Sequence, residues 1–332
     1  MNDWIRALIH VLTMLVIMMV NGAFTIYMLR KVLAAFHLRL GPTELGPGGI
    51  LQLIPDIVKL LVKEDRHPGK TDRWIYLLAP FIVFIPGLTA YAAIPFSETL
   101  VAANIEYGLL MTIGFLSIIP LGIFAAGYAS HNKYSLIGAM RAVGGAVSYE
   151  VPLVLAGLTP VILAGSLNLG QIVMAQANSI WYIIPCFPAA IIFFISALME
   201  TGQAPFDMAE SESELIAGFS TELSAMRFGF VFLTEFSGNF IMAALFTCLF
   251  LGGWTLPFVP AEILETLAPV IFVLKCYFVI FCFMMVRGSF SRFRVDQMAA
   301  LGFKELVPLA LIWALVFGVG YKVVLMFMTG GA

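Results

Sequence analysis

The sequence predicts an all-α integral membrane protein, and its composition is the first observation that predicts it. Of the 332 residues, 61% are hydrophobic and 11% are charged, whereas about 25% of the residues in an ordinary soluble domain are charged. With a mean hydropathy of +0.98, a soluble chain would have too few polar residues to cover its surface. These values exclude a soluble enzyme and a disordered chain. The net charge of −2 gives no reason to expect nucleic acid as a partner.

The second observation is a series of apolar runs that reach the roughly 20 residues a helix needs to cross a bilayer. Eight such runs lie at about residues 5–29, 74–95, 107–128, 142–165, 180–200, 226–252, 267–287 and 304–328. The runs are continuous rather than alternating, which excludes a transmembrane β-barrel. The first run is also too long for a cleaved signal peptide. We therefore expect about eight tilted transmembrane helices in a single membrane domain over residues 1–332.

The third observation is the distribution of basic residues between the loops. Fifteen of the 18 lysines and arginines lie in or beside the loops that follow the first, third, fifth and seventh runs. The intervening loops, 96–106, 166–179 and 253–266, contain none. Because basic loops stay on the cytoplasmic side, we expect both termini on the outer side of the membrane.

The segment 47–64, after the first run, predicts an amphipathic helix. Its polar side chains recur at spacings of four, three and four residues, at Gln52, Asp56, Lys59 and Lys63. Apolar side chains occupy the other side, at Ile50, Leu53, Ile54, Ile57, Leu60 and Leu61. Such a helix lies in the membrane interface or covers a cavity, and a plain membrane anchor without a site is the alternative. Pro55 is expected to kink this helix.

Glu150, Glu235 and Lys275 lie inside the fourth, sixth and seventh predicted spans, away from the span ends. A charged side chain at the bilayer centre costs about 2.5–3.5 kcal/mol on insertion scales, so a functional role is the default interpretation. The alternative is a buried structural pair of glutamate and lysine. The sequence does not fix helix rotation, so it leaves open whether Glu235 and Lys275 meet.

The acidic loop at 201–225 adds a second group of carboxylates. With the preceding helix end, it contributes Glu200, Asp207, Glu210, Glu212, Glu214 and Glu222. Asp207 and Glu210 have the spacing of a capping box, and on the helix that would follow, Glu210 and Glu214 share one face. Acids favoured by a helix N-terminus are the simpler explanation. We instead expect the loop to fold into a polar cavity, where coupled carboxylates can hold or pass protons near pH 7.

Neither the cysteines nor the histidines have the spacing of a metal site. The four cysteines are Cys186, Cys248, Cys276 and Cys282, and the four histidines are His10, His37, His67 and His131. The sequence therefore predicts no metal site and no resident redox group in this chain.

Five stretches resemble a known family, in order and over residues 30–311. They read GPGGILQLIPDIVKLLVKED at 46–65, GYASHNKYSLIGAMRA at 127–142, SYE at 148–150, APFDMAESESELIAGFSTE at 204–222 and RFRVDQ at 292–297. They are similar to the membrane subunit that carries most of the quinone chamber in respiratory complex I. This is the NADH-quinone oxidoreductase family, in which bacteria call this component the H subunit and mitochondria encode it as subunit 1.

The resemblance implies three groups of site residues. Quinone-chamber residues would be Arg30, Lys31, Phe36, Arg39, Asp56, Phe206 and Phe219. A proton path would run through Glu150, Asp207, Glu210, Glu212, Glu214, Glu222, Glu235 and Lys275. Docking to a hydrophilic arm would use Arg292, Arg294, Asp296 and Gln297.

The resemblance also implies how the chain works. It would be a translocase subunit with no catalytic residue of its own, and quinone would be the substrate. Iron–sulfur clusters and flavin would lie in partner subunits. The partners would be hydrophilic iron–sulfur and quinone-module subunits, antiporter-like and small membrane subunits, and the lipid bilayer. The location would be the plasma (inner) membrane of a prokaryote, with periplasmic termini.

The sequence departs from the family at the expected chamber mouth and arm interface. Leu29 replaces a Glu, Glu44 an Arg, Gly202 and Gln203 an Asn-Arg pair, Leu223 and Val295 two tyrosines, and Gly144 and Gly145 an Ala-Gln pair. These departures keep open an equivalent subunit of a membrane-bound hydrogenase, or of another complex that does not use quinone. A stand-alone transporter or channel is a third alternative, although no internal repeat is visible.

Overall fold

The structure is a computed structural model, and it describes residues 3–65, 68–69, 71–177, 179–210, 212–256 and 261–328. In these ranges the regular secondary structure is helical. The helices are α1 (Asp3–Phe36), α2 (Leu53–Val62), α3 (Arg73–Ala90), α4 (Gly108–Leu116), α5 (Ile119–Ala129), α6 (Lys133–Ala164), α7 (Leu169–Ala177), α8 (Phe187–Glu200), α9 (Glu212–Leu215), α10 (Ala225–Phe250), α11 (Ala261–Ser289), α12 (Val295–Ala300) and α13 (Val307–Met328). A single bridge between Pro95 and Val101 is the only extended pairing in those ranges. The expected all-α membrane fold is confirmed.

Seven helical segments among the described residues are long and apolar enough to cross a membrane. They are Leu8–Phe36, Arg73–Ala93, Gly108–Ala129, Lys133–Ala164, Ala225–Phe250, Thr266–Ser289 and Val295–Gly320. The expected run at 180–200 forms only the 14-residue α8, about 21 Å long at 1.5 Å per residue. The helix starts late because Pro188 occupies its first turn, and Tyr182 instead donates its backbone N–H to the side chain of Gln176.

Two helices differ from the expected spans in ways that shape the site. Helix α6 starts at Lys133, nine residues before the expected 142, because the Asn132 side chain accepts a hydrogen bond from the backbone N–H of Tyr134 and caps it. The third span is broken between α4 and α5. Pro120 lies in the first turn of α5, and the break leaves Ser117 between the two helices.

The amphipathic segment is not kinked at Pro55, so that prediction was wrong. A 3-10 turn over Pro47–Gln52 comes first, and its irregular residues are Gly48 (φ 67°) and Gly49 (φ 81°). Helix α2 begins only at Leu53, which places Pro55 in the first turn, where a missing N–H costs little. The helix lies against α1 and α10, and none of its residues is buried.

Helix α10 is the centre of the bundle. It packs against α1, α3 and α11, while α6 packs against α5, α8 and α13. The segments that join these helices at one end of the bundle contain most of the charged side chains. We call this end the charged end; its described residues are 37–65, 68–69, 71–72, 129–141, 201–210, 212–224 and 287–306. Contacts across it include Asp72 with Ala129 and Arg292 with Asp207.

Candidate carboxylate cavity

A cavity of about 110 Å³ lies at the charged end, between α6, α8, α10 and the loop that follows α8. Its wall includes four carboxylates: Glu200, Asp207, Glu210 and Glu235. Glu200 is the last residue of α8 and Glu235 lies on α10, whereas the other two belong to the loop. The rest of the wall is mainly apolar, although Arg141 and Tyr149 also line it.

A polar network connects the cavity with Glu150 on α6. The buried Tyr149 interacts electrostatically with Glu200 and with Glu150. Glu150 lies near Ser117, the residue left between α4 and α5 by the break in the third span, and interacts electrostatically with Glu200. Glu150 is therefore next to the cavity through Glu200, although it does not line the wall.

Asp207 is held by both charge and backbone. Its carboxylate lies 3.0 Å from Arg292 Nη2 and accepts a hydrogen bond from the backbone N–H of Glu210. Burial raises the pKa of Asp207 above its usual value, and the guanidinium groups of Arg292 and Arg287 oppose that rise. The expected capping box is wrong, because no helix begins here and α9 is a single turn farther on.

Glu214 does not line the carboxylate cavity. It lies on α9, which begins only at Glu212, so Glu210 and Glu214 do not share the expected helix face. The half-exposed carboxylate of Glu214 pairs with Arg141 at 2.5 Å, and this arginine holds the pKa of Glu214 below its usual value. The pair borders a second cavity of about 270 Å³, which is also lined by Arg292, Phe293, Arg294, Val295 and Asp296. Arg141 and Met208 line both cavities. The side chain of Glu212 lies outside the described residues.

The expected docking residues are therefore mostly together, around the second cavity. Arg292, Arg294 and Asp296 line it. Gln297 lies in the first turn of α12 and caps that helix, because its Oε1 accepts a hydrogen bond from the backbone N–H of Arg294 at 3.1 Å.

Glu222 takes part in a separate contact at the charged end. Its carboxylate accepts a hydrogen bond from Asn132 Nδ2 at 2.8 Å, and its backbone carbonyl accepts one from the Tyr76 hydroxyl at 2.6 Å. These bonds join the loop before α10 to α3 and to the start of α6. Glu222 does not line the carboxylate cavity.

Lys275 lies at the opposite end of the bundle and does not meet Glu235. Its Nζ donates to the backbone carbonyls of Leu251, Gly253 and Thr255 at 2.7, 2.9 and 2.6 Å. It also lies 4.5 Å from the ring centroid of Trp181. From Glu235 to Leu251 is about 24 Å along α10 at 1.5 Å per residue.

The expected quinone-chamber residues form two groups. Phe206 and Phe219 line the carboxylate cavity, where Phe206 also stacks on Phe293 with centroids 5.3 Å apart. Arg30 pairs with Asp56 at 2.6 Å and so joins α1 to α2. Phe36 packs against Gly288 near the end of α11. Lys31 is half-buried at the end of α1, and Arg39 is exposed just beyond it.

Tyr149 and Arg287 were missing from the sequence-based set of site residues, and Glu200 was named there only among the acids around the loop, not on the implied proton path. Glu200 and Tyr149 form the link to Glu150, and Arg287, at the end of α11, donates a hydrogen bond to Gln203 Oε1. Glu200 and Arg287 share a usable signal, since each is the first charged residue at the end of a long apolar run. Tyr149 gives no such signal, because tyrosine is common in membrane helices.

The fold and the site together define a class: a multi-pass helical membrane protein with clustered carboxylates below a basic surface. A family model described as NADH dehydrogenase matches residues 9–318. The chain is 42% identical over 306 residues to the H subunit of NADH-quinone oxidoreductase from Rhodospirillum centenum, covering 92% of this chain and 91% of that protein. The proteins of the same name from Paraburkholderia phymatum and Granulibacter bethesdensis are 39% and 40% identical, over 94% and 92% of this chain and 90% of each relative. The chain belongs to the NADH dehydrogenase family.

Proposed function

We propose that this chain is the membrane subunit of a complex I-type, proton-translocating quinone oxidoreductase, and that it couples quinone reduction to proton movement through its carboxylate cavity. The observation that carries the proposal is the convergence of Glu200, Asp207, Glu210 and Glu235 on one small cavity. The relatives are named for NADH and quinone, which favours quinone chemistry over the hydrogenase-type alternative.

The coupling step follows from the electrostatics of neighbouring carboxylates. Glu235 interacts electrostatically with Glu210 and Asp207 on one side of the cavity. Glu200 interacts with Glu150 on the other. Where carboxylates interact in this way, a proton gained or lost by one changes the proton affinity of its neighbours. A quinone takes up protons when it is reduced to quinol, so reduction nearby would redistribute protons along this set.

Quinone would approach between α1, α2 and the end of α11. The Arg30–Asp56 pair fixes α2 across the end of α1, and Phe36 and Gly288 close the contact between α1 and α11. Phe206 and Phe219 line the carboxylate cavity, where their aromatic rings would offer apolar surface next to the acids. Electrons would come from iron–sulfur clusters and flavin in partner subunits.

The second cavity fits the docking of a hydrophilic partner. Arg141, Arg292 and Arg294 present three guanidinium groups around it, with Glu214 and Asp296 beside them. We place this surface on the cytoplasmic side of a prokaryotic plasma membrane, which would put both termini in the periplasm. Iron–sulfur and quinone-module subunits would bind here, and antiporter-like and small membrane subunits would bind along the apolar sides.

Replacing Glu235 with Gln tests the proposal in the assembled complex. We expect quinone-coupled proton pumping to fall by at least about 10-fold, because the amide cannot exchange a proton at this position. Quinone reduction and proton uptake would be measured together in membrane vesicles. Glu106→Gln is the matched control, since Glu106 is an exposed residue between α3 and α4.

The control is expected to behave like the unmodified complex in both assays. Assembly of the Glu235→Gln complex would be checked on native gels, so that lost subunits are not mistaken for lost coupling. If the assembled Glu235→Gln complex pumps protons at the normal ratio to quinone reduced, the carboxylate cavity is not the coupling site.

A further inference from the structure

The end of α11 places an arginine beside the carboxylates without giving it a carboxylate as hydrogen-bond partner. Arg287, in the last turn of α11, donates from Nη1 to the side-chain oxygen of Gln203. Gln203 is 3% exposed, and its amide nitrogen lies 3.4 Å from the carbonyl of Thr201. The guanidinium is therefore fixed by a neutral amide that is itself held by the loop after α8.

Two carboxylates on different elements interact with this guanidinium. Arg287 interacts electrostatically with Asp207 of the loop and with Glu235 of α10. Arg292 is the stronger partner of Asp207, while Arg287 is the only cation among the charges that act on Glu235 within the described residues. The other titratable or charged groups that line the cavity are Glu200 on α8, Tyr149 and Arg141 on α6, and Glu210 on the loop.

We propose that Arg287 is a positioning residue that sets the proton occupancy of Asp207 and Glu235, and that Gln203 fixes its guanidinium for that purpose. This inference rests on the proposed function, in which these carboxylates exchange protons during quinone reduction. A neutral amide suits the role because it orients the guanidinium and leaves the positive charge uncancelled. A carboxylate at the same position would form an ion pair and weaken the field at both acids.

Two substitutions that act on different residues should therefore give the same result. Arg287→Gln removes the cation, and Gln203→Glu neutralises it in place. Each should let the cavity carboxylates keep their protons to higher pH, so the pH dependence of quinone reduction should shift upward by about 0.5–1 unit. Arg287→Lys keeps the charge and should shift the profile less.

The measurement is the pH profile of quinone reduction by the assembled complex in membranes, with KM for quinone recorded at each pH. A merely structural role would lower the rate at every pH without moving the profile. Gln171→Glu adds the same charge at an exposed position of α7, and it should leave the profile in place. If Gln203→Glu and Arg287→Gln assemble and neither moves the profile, the inference is overturned.

Different results would contradict the role of Arg287 and the proposed function. If Glu235→Gln abolishes coupling but the Gln203→Glu profile is unchanged, only the role of Arg287 is wrong. If Glu235→Gln leaves coupling intact, the proposed function itself fails. Should Arg287→Gln not assemble, Gln203→Glu and Arg287→Lys still decide the question, because both retain a hydrogen-bonding side chain at the contact.

Discussion

Side chains of one type have different roles here because their nearest neighbours differ. Asp207 lies 3.0 Å from Arg292, Glu200 lies beside the uncharged hydroxyl of Tyr149, and Glu222 accepts a hydrogen bond from the amide of Asn132. An arginine favours the ionised acid, whereas a hydroxyl or amide is a neutral donor with a smaller effect. At the scale of residues, the partner therefore sets how strongly each acid favours its ionised form.

Lys275 illustrates the same rule at the opposite end of the bundle. All three N–H bonds of its ammonium group go to backbone carbonyls beyond the end of α10. We expect Lys275→Met to lower the thermal stability of the complex, because each buried carbonyl left without a donor costs about 1–3 kcal/mol. Thermal unfolding of the purified complex would measure the loss.

The ratio of protons pumped to quinone reduced decides between a structural and a conducting role for Lys275. We expect the surviving Lys275→Met complex to keep the normal ratio, and Lys275→Arg to recover part of the stability. A normal melting temperature with a reduced ratio would instead return Lys275 to the proton path that the family resemblance implies.

At the scale of elements, the close approach of α6 to the loop positions the carboxylates. Gly138 faces the loop so closely that a Cβ there would lie 2.7 Å from the backbone nitrogen of Phe219 and 2.8 Å from the carbonyl of Ala209. Gly302 allows a similar approach near the start of the last span, against the carbonyl of Ser148. These contacts hold neighbouring elements against α6, one at Gly138 and the other at Ser148.

Gly138→Ala should therefore destabilise the site, by about 1–3 kcal/mol for an overpacked contact. Gly144→Ala is the matched control on the same helix, since a Cβ there meets nothing within 4 Å. The control should be stabilising by up to about 1 kcal/mol, because alanine favours a helix over glycine. Thermal unfolding and limited proteolysis of the 201–224 loop would compare the two; equal stability would contradict the close packing.

Some of these elements follow from the sequence, whereas others depend on packing. The apolar runs predict the helices because about twenty consecutive apolar residues have few other structures available. The loop that contains Asp207 and Glu210 was expected in a polar cavity, and both residues line a cavity, although most of its wall is apolar. The positions of Glu214, Glu222 and Lys275 could not be predicted, because helix rotation and loop conformation depend on contacts such as Gly138 with Phe219 that no local pattern records.

At the scale of the whole molecule, the charged end contains two cavities that share Arg141 and Met208. The second cavity is basic and fits a docking partner, whereas the carboxylate cavity is lined by acids from α8, α10 and the loop. Partner binding and proton exchange would therefore take place next to each other. A partner that displaced Arg141 or Arg292 would change the charge at Glu214 or Asp207 directly.

Infrared difference spectroscopy of the assembled complex tests the central claim most directly. The spectrum would be recorded before and after quinone reduction, in the region of the carboxylic C=O stretch. We expect a carboxyl band to change in the unmodified complex and in Glu106→Gln, and to be absent in Glu235→Gln. A spectrum without any carboxyl change on quinone reduction, or a band that Glu235→Gln leaves untouched, would contradict proton exchange at this cavity.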